Sequence, residues 1–367
     1  MIEEFIEGVI EAQGVWLAYI VLIGGAGLLA YSVEKLISYL IRAALGLGIS
    51  IFALAILFTG FEFDDTAIAL VFSAGGLEQV ALGTALGTAL AITGITLAAA
   101  AIYRPFPVDV PRDYLLLFVL SPLILVPFIF ISTLTFNHGL ALAVIFVVLF
   151  GYIICREFQR DIPVFQDSEI AERIEVDGGV PIDRLSIENV DSRTILEDIP
   201  EDRFVADRPY EGLFWLTLAF VALGGVVAGA ILLEASSEVI AETWGIEHTV
   251  FGATILTLVL TFENLLLTIE PIRRGVPEIG IGHVIGSVIF SVTANVGVIA
   301  FVADVVISRD VLIFHLPAVI VLTAVAAYFI STGWIRRRHG YILIALYTVY
   351  WIAAILIFGG VPIPDPL

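Results

Sequence analysis

Long apolar runs dominate this chain, and they constrain its fold more than any other feature. Uninterrupted hydrophobic stretches make up most of the sequence, with short polar segments between them. A helix of about 20 apolar residues spans the hydrocarbon core of a bilayer. Because the stretches are continuous rather than alternating, they predict helices and not the strands of a membrane barrel. The sequence therefore predicts an all-α polytopic membrane protein.

Ten transmembrane helices are predicted, with a polar segment between the fifth and the sixth. The predicted spans cover residues 14–36, 49–74, 78–103, 113–134, 138–157, 212–235, 248–272, 277–305, 312–332 and 339–359. They divide the chain into a first five-helix membrane repeat (1–157), an acidic linker (158–211) and a second five-helix membrane repeat (212–367). The linker contains four prolines, and both a small folded patch and a flexible segment are compatible with its composition.

The distribution of basic residues predicts how the chain is oriented, because lysine and arginine favour the cytoplasmic side of a membrane. With the N-terminus outside, ten spans place every one of the 17 lysines and arginines inside except Arg309. We therefore predict a multi-pass protein of the cell membrane, with both termini outside and the 158–211 linker in the cytoplasm.

The chain contains an internal repeat with a gapless offset of 199 residues. The matching residues are Trp16 with Trp215, Phe63 with Phe262, Gly76 with Gly275, Gly83 with Gly282 and Gly87 with Gly286. Because each half holds an odd number of helices, the two halves insert with opposite orientations. Inverted repeats around polar residues at mid-membrane are typical of secondary transporters. The sequence thus predicts two inverted five-helix repeats.

Three carboxylates, those of Glu62, Asp64 and Asp65, interrupt the apolar run of residues 49–72. A charge at the centre of a bilayer is costly, so an intramembrane carboxylate is a functional candidate by default. Glu62 and Asp65 are three residues apart and share one face of a helix. The alternative is that these acids lie at the end of a span among the lipid headgroups, and it is strongest for Glu62.

The second half has a polar segment at the same place in the repeat. The aligned pairs are Glu62 with Thr261, Asp64 with Glu263, and Asp65 with Asn264. Carboxylate, hydroxyl and amide oxygens suit hard cations such as Ca²⁺ and Na⁺, and the sequence has no cluster of histidine and cysteine for a transition metal. We predict that the two segments face each other and bind a cation, with Asp64, Asp65 and Glu263 as its metal ligands.

A Gly-x3-Gly motif follows each acidic segment, beginning at Gly83 in the first half and at Gly282 in the second. This spacing lets two helices approach closely. The hydroxyls of Thr84, Thr88 and Ser287 then become candidate ligands that point at the acidic segments. The alternative is plain helix packing, with each hydroxyl bonded within its own helix.

Two further polar residues belong to the second half. A histidine titrates near neutral pH, so His283 is a candidate proton carrier, although a hydrogen-bonded histidine near the cytoplasmic mouth is the favoured interpretation. Asn295 lies two turns beyond Ser287 and is either a deeper ligand or a packing residue.

The two polar segments resemble the α-repeats of the sodium/calcium exchanger family, within the wider cation/Ca²⁺ antiporters. The match is close from Arg273 to Ser287 and looser from Gly75 to Thr88. The resemblance covers both five-helix halves but not the linker. It implies an exchanger fold that extrudes Ca²⁺, or a related cation, driven by Na⁺ or H⁺.

The chain departs from the family pattern at several ligand positions. The family's glutamate position is Asp65 in the first half and Asn264 in the second, and its proline position is Asp64 and Glu263. Its serine position is Glu62 and Thr261, and its threonine position is Phe61 and Leu260. The acid of the second half is therefore displaced by one residue, which turns it by about 100° around a helix. The transported cation and the coupling ion are consequently left open.

The predicted function is secondary antiport of Ca²⁺ against Na⁺ or H⁺, with alternating access to a central carboxylate site. The rival interpretation is a non-transporting exchanger homologue that acts as a membrane sensor or scaffold. No nucleophile elbow, zinc-protease motif or P-loop is present, so an enzyme is not expected. The expected partners are the bilayer and inorganic cations, without a cofactor. A net charge of −20 argues against nucleic acid, and the oligomeric state is left open.

Overall fold

A computed structural model describes residues 14–46, 62–129, 131, 133–157, 211–274 and 277–358 of the chain. The 158–211 linker, except for Glu211, lies outside the described residues, and so does the 49–61 part of the predicted second span.

Helices make up nearly all of the described structure. The first half contains α1 (Val15–Gly46), α2 (Phe63–Ala74), α3 (Glu78–Ala91, the π segment Ile92–Thr96 and Leu97–Tyr103), α4 (Arg112–Ile129) and α5 (Phe136–Glu157). The second half contains α6 (Glu211–Trp244), α7 (His248–Phe251, the π segment Gly252–Leu256 and Thr257–Arg274), α8 (Pro277–Phe290, the π segment Ser291–Asn295 and Val296–Val302), α9 (the π segment Val311–His315 and Leu316–Ser331) and α10 (Arg337–Ala353 and the π segment Ala354–Phe358).

Seven of the described helices are long and apolar enough to cross a membrane, namely α1, α3, α5, α6, α8, α9 and α10. The prediction of a polytopic helical membrane protein is confirmed at this level, and the ten-helix, inverted-repeat organisation stays a prediction. Several predicted boundaries are wrong. The fourth and eighth spans end earlier than predicted, at Ile129 and Val302. The first span does not end at 36 and the sixth does not end at 235, because α1 and α6 continue to Gly46 and Trp244. The helix around the acidic segment begins only at Phe63.

Helices α1 and α6, which are equivalent in the repeat, form an antiparallel pair. At one end Tyr39 stacks on Trp215, with ring centroids 5.7 Å apart. At the other end the Trp244 indole donates a hydrogen bond of 2.6 Å to the Tyr19 hydroxyl. Between them the backbones approach so closely that a Cβ on Gly229 would lie 2.8 Å from a backbone nitrogen of α1. This continuous contact explains why both helices extend beyond their predicted apolar spans.

The first Gly-x3-Gly motif packs α3 of the first half against α7 of the second. A Cβ on Gly83 would lie 2.1 Å from the Thr249 carbonyl oxygen, and a Cβ on Gly87 would lie 2.7 Å from the Ala253 Cα atom. The contact is reciprocal, because a Cβ on Gly252 would lie 2.1 Å from a backbone carbonyl oxygen of α3. Helix packing therefore requires glycine here, as the packing alternative for this motif expects.

Four two-residue strands lie between helices, a feature that the all-α prediction did not include. They are β1 (Phe106–Pro107), β2 (Thr133–Leu134), β3 (Val305–Val306) and β4 (Trp334–Ile335). β1 pairs antiparallel with β4, and β2 with β3. Helix α4 runs between β1 and β2, so the two pairs lie at opposite ends of the molecule. Each pair joins a loop of the first half to a loop of the second.

Two irregular features recur at the repeat offset. The π segments Ile92–Thr96 and Ser291–Asn295 are separated by 199 residues, and so are β1 and β3. A π segment is an uncommon feature of a helix. Its presence at equivalent places in α3 and α8 is what a repeated fold produces.

Candidate functional site

The acidic segment lies at the start of a helix rather than inside a continuous span. Glu62 is the N-cap residue of α2, and Asp64 and Asp65 lie in its first turn. The free N–H groups and positive end of a helix stabilise negative charge nearby. The Asp65 side chain is buried, and those of Glu62 and Asp64 are half-buried. The fold therefore concentrates three carboxylates at one protected helix start.

The Glu62 carboxylate faces both Asp65 and the Ser287 hydroxyl of α8, while Asp64 adds negative charge nearby. Both Glu62 carboxylate oxygens are buried, and neither has a hydrogen-bond partner among the described residues. A buried carboxylate without a partner is strongly disfavoured, and a bound cation would remove that penalty. The first and second halves thus meet at a group of buried oxygen atoms that a bound cation would stabilise.

Ser287 also belongs to a chain of hydrogen bonds within the second half. The His283 Nε2 atom lies 3.1 Å from the Asn264 Oδ1 atom, and the Ser287 Oγ atom lies 3.5 Å from His283 Nδ1. In the tautomer with a proton on Nε2, His283 donates to Asn264 and accepts from Ser287. The Ser287 oxygen then keeps its lone pairs for the Glu62 side. We call Glu62, Asp65, Asn264, His283 and Ser287 the central polar cluster.

Other predicted ligands are less clearly directed at this cluster. The Thr84 hydroxyl donates to the Val80 carbonyl (2.9 Å), and the Thr261 hydroxyl donates to the Thr257 carbonyl (2.7 Å). Both bonds lie within one helix, as the packing alternative expects, although each hydroxyl oxygen can still accept or coordinate. Thr88 is buried in α3. Glu263 lies within α7, and its side chain is outside the described structure.

Buried polar atoms in the π segments extend the set of candidates. In α8 the Ser291 hydroxyl and the Asn295 side-chain oxygen are buried without a hydrogen-bond partner in the described part of the chain. In the equivalent segment of α3, the Thr96 hydroxyl is also buried without a hydrogen-bond partner among the described residues. π segments often occur at functional sites. The sequence already makes Asn295 a candidate, whereas the π geometry around it emerges only from the structure.

A conventional metal site is not formed by acidic, histidine and cysteine side chains alone. The described residues contain no group of three or more such side chains arranged to hold a metal ion. A cation at the central polar cluster would therefore also need hydroxyl, amide or backbone oxygens, which are common ligands of Ca²⁺.

Comparison with known proteins finds a family that resembles the second half of the chain. Residues 213–356, which include α7 to α9 and nearly all of α6 and α10, match the family of sodium/calcium exchanger proteins. The sodium/calcium exchanger MaX1 of Methanosarcina acetivorans is 31% identical over 139 residues, which is 38% of this chain and 39% of that exchanger. The second half of the chain is therefore similar to the sodium/calcium exchanger family. The chain is a multi-pass membrane protein.

Other similar proteins extend the likeness to the first half of the chain. The inner membrane protein YrbG of Escherichia coli is 22% identical over 362 residues, covering 93% of this chain and 99% of YrbG. Solved structures of the sodium-calcium exchanger NCX_Mj, soaked with Na⁺ and Sr²⁺, superpose with a TM-score of 0.51 at 19% identity. That superposition covers 92% of this chain and 98% of NCX_Mj, and it shows a shared fold.

Proposed function

We propose that this chain is a secondary active cation antiporter, which exchanges Ca²⁺ for Na⁺ or H⁺ by alternating access to the central polar cluster. One observation carries the proposal. The buried Glu62 carboxylate faces Asp65 and, across the boundary between the halves, Ser287, without a hydrogen bond among the described residues. The likeness of the second half to sodium/calcium exchangers supports transport and not enzymatic chemistry. Nothing besides the transported ions is expected to bind there as a cofactor.

The chemistry of the cluster favours a hard cation. Its charged members are carboxylates of the first half, and the second half contributes neutral oxygens from Asn264 and Ser287. Ca²⁺ takes six to eight oxygen ligands, so Asp64, Thr84, Thr88, Thr261 and Glu263 are the proposed sources of the remainder. Exchange follows when Ca²⁺ and the coupling ion neutralise the same carboxylates and therefore cannot be bound together.

The proposed architecture retains the sequence prediction of ten spans in two inverted halves. Both termini would lie outside, and the 158–211 linker would lie in the cytoplasm. The antiparallel course of the equivalent helices α1 and α6 supports the inversion, as does the pairing of β1 with β4 at one end and of β2 with β3 at the other.

A flux experiment tests this proposal. The full chain is reconstituted in sealed vesicles, and ⁴⁵Ca²⁺ uptake is measured under an imposed Na⁺ or H⁺ gradient. Glu62→Gln should reduce uptake by at least about 100-fold, because it removes a buried charge that the cation requires. The matched control is Glu242→Gln, an exposed carboxylate near the end of α6, which should leave uptake unchanged.

The second candidate is a non-transporting homologue that senses a cation or serves as a scaffold. It is favoured by Asn264, which places a neutral amide where the resemblance implies a carboxylate. A folded wild-type protein that binds Ca²⁺ but moves no cation under either gradient would establish this candidate and refute the antiporter.

A further inference from the structure

A second charged feature lies far from the central polar cluster, at the end of the molecule that carries the β1–β4 pair. Five arginine side chains are exposed in the loops and helix starts at this end. They are Arg104, Arg112, Arg336, Arg337 and Arg338, and we call them the arginine cluster. The first two belong to the first half and the other three to the second. A net charge of −20 makes this local excess of positive charge conspicuous.

Strand pairing brings these arginines together. β1 pairs with β4 so that Phe106 lies opposite Ile335 in an antiparallel register. Arg104, two residues before Phe106, therefore lies beside Arg336 and Arg337, which directly follow Ile335. The contact continues beyond the strands, because a Cβ on Gly340 of α10 would lie 2.6 Å from the backbone of α3. The fold thus holds like charges side by side.

No acidic residue in the described part of the chain pairs with these arginines. The nearby Asp113 carboxylate is already occupied by Arg156, at 3.1 Å, and by the Tyr152 hydroxyl, at 3.0 Å. Asp109 is the carboxylate of the loop between β1 and α4, and it is exposed. Like charges in adjacent strands are destabilising without a counter-charge.

The position of Arg337 and Arg338 on α10 adds a second unfavourable electrostatic interaction. Arg337 and Arg338 lie in the first turn of α10, which has no acidic residue there. Cations are disfavoured at the start of a helix, whereas an anion is stabilised by its free N–H groups. The opposite end of the molecule differs, because the single arginine of the β3–α9 region, Arg309, lies between Asp304 and Asp310.

Exposed aromatic residues set the depth of the cluster in the membrane. Tyr103 directly precedes Arg104, Trp334 lies two residues before Arg336, and Tyr341 lies on the first turns of α10. Exposed tryptophan and tyrosine at helix ends are enriched at the level of the lipid headgroups. The arginines therefore lie where lipid phosphates are concentrated.

We propose that the arginine cluster is a binding site for the phosphate of an anionic lipid headgroup. Guanidinium groups bind phosphate oxygens in pairs of parallel hydrogen bonds. One phosphate between Arg104 and the Arg336–Arg338 segment would neutralise the repulsion across the β1–β4 pair. Since these residues come from different halves, the lipid would stabilise the junction of the two halves at this end. This site is independent of the proposed transport activity.

The test compares bilayers of different charge. The full-length protein is reconstituted in phosphatidylcholine with and without phosphatidylglycerol, and bound lipids are counted by native mass spectrometry. Thermal unfolding is followed in parallel. We expect the wild type to retain phosphatidylglycerol selectively and to unfold at a higher temperature when it is present. Three single variants are compared with the wild type, namely Arg104→Gln, Arg112→Gln and Arg337→Gln. Each should lower the preference for phosphatidylglycerol about fivefold. Arg309→Gln, at the opposite end, is the matched control and should leave the preference unchanged.

Two results would overturn the proposal. If the three variants keep the wild-type preference, the arginines serve only to orient the chain. If inorganic phosphate in lipid-free detergent raises the unfolding temperature as much as phosphatidylglycerol does, the site binds free phosphate and not a lipid. If a variant that combines the three substitutions fails to insert, the single Arg337→Gln protein decides the outcome through its about fivefold effect.

Discussion

The two halves of the molecule share a repeat but contribute unequal groups to the central polar cluster. In the first half the polar segment starts the short helix α2, and it supplies the carboxylates of Glu62 and Asp65. In the second half α7 continues unbroken through the equivalent position, and it supplies Asn264, which is bonded to His283. Equivalent positions in a repeat therefore need not have equivalent roles. Among the described side chains of the central polar cluster, the first half provides charge, and the second half provides neutral, hydrogen-bonded oxygen atoms.

This asymmetry is tested most strongly by comparing Asp65→Asn with Asn264→Ala. We expect Asp65→Asn to reduce ⁴⁵Ca²⁺ uptake by about 100-fold or more, because it removes a buried charge from a cation site. Asn264→Ala removes a neutral ligand and should cost about tenfold or less. The measurement is initial uptake into vesicles at equal amounts of inserted protein. Equal losses in the two variants would show that the halves contribute equally.

The halves also depend on each other through the contact between α3 and α7. Gly83→Ala should destabilise the protein by about 1–3 kcal/mol, because the added Cβ meets the backbone of α7. Gly27→Ala in α1 is the control, since a Cβ there meets no atom within 4 Å. Thermal unfolding in detergent measures both. If Gly83→Ala is as stable as Gly27→Ala, the two halves do not pack as closely as described.

The smallest expected effect concerns the hydrogen bond between His283 and Asn264. A double-mutant cycle with His283→Ala and Asn264→Ala should give a coupling energy of about 1 kcal/mol in the apparent Ca²⁺ affinity. The control cycle combines His283→Ala with Thr348→Ala, at an exposed residue of α10, and should show no coupling energy. Strictly additive effects of His283→Ala and Asn264→Ala would mean that the bond does not position either group for the cation.

Hydropathy predicts the helices of this chain well, because a bilayer demands a fixed length of apolar residues. It does not predict where a helix ends when a neighbouring helix continues beside it, as α1 and α6 show. The Gly-x3-Gly motif signals a close approach, but not that Gly83 meets Thr249 of the other half. Hydropathy also places Glu62 inside a span, whereas the local backbone makes it an N-cap residue.

The candidate site is predictable only in part. The repeat offset identifies both polar segments, and the structure brings Glu62 close to Ser287 across the halves. The bond between Asn264 and His283 depends on how α7 and α8 pack, which no local sequence pattern specifies. The proposed ligand roles of Asp64, Asp65 and Glu263 remain predictions until cation binding is measured.

The paired π segments have a consequence for how this sequence can change. A π segment adds one residue to a helix, so every later side chain points about 100° away from the direction that a regular α-helix would give it. In α8 the residues from Val296 onward therefore have their angular phase set by the single extra residue in Ser291–Asn295. α3 carries the same phase shift at the equivalent place. A one-residue deletion confined to either segment would turn the rest of that helix away from its neighbours, while each retained residue kept its chemistry.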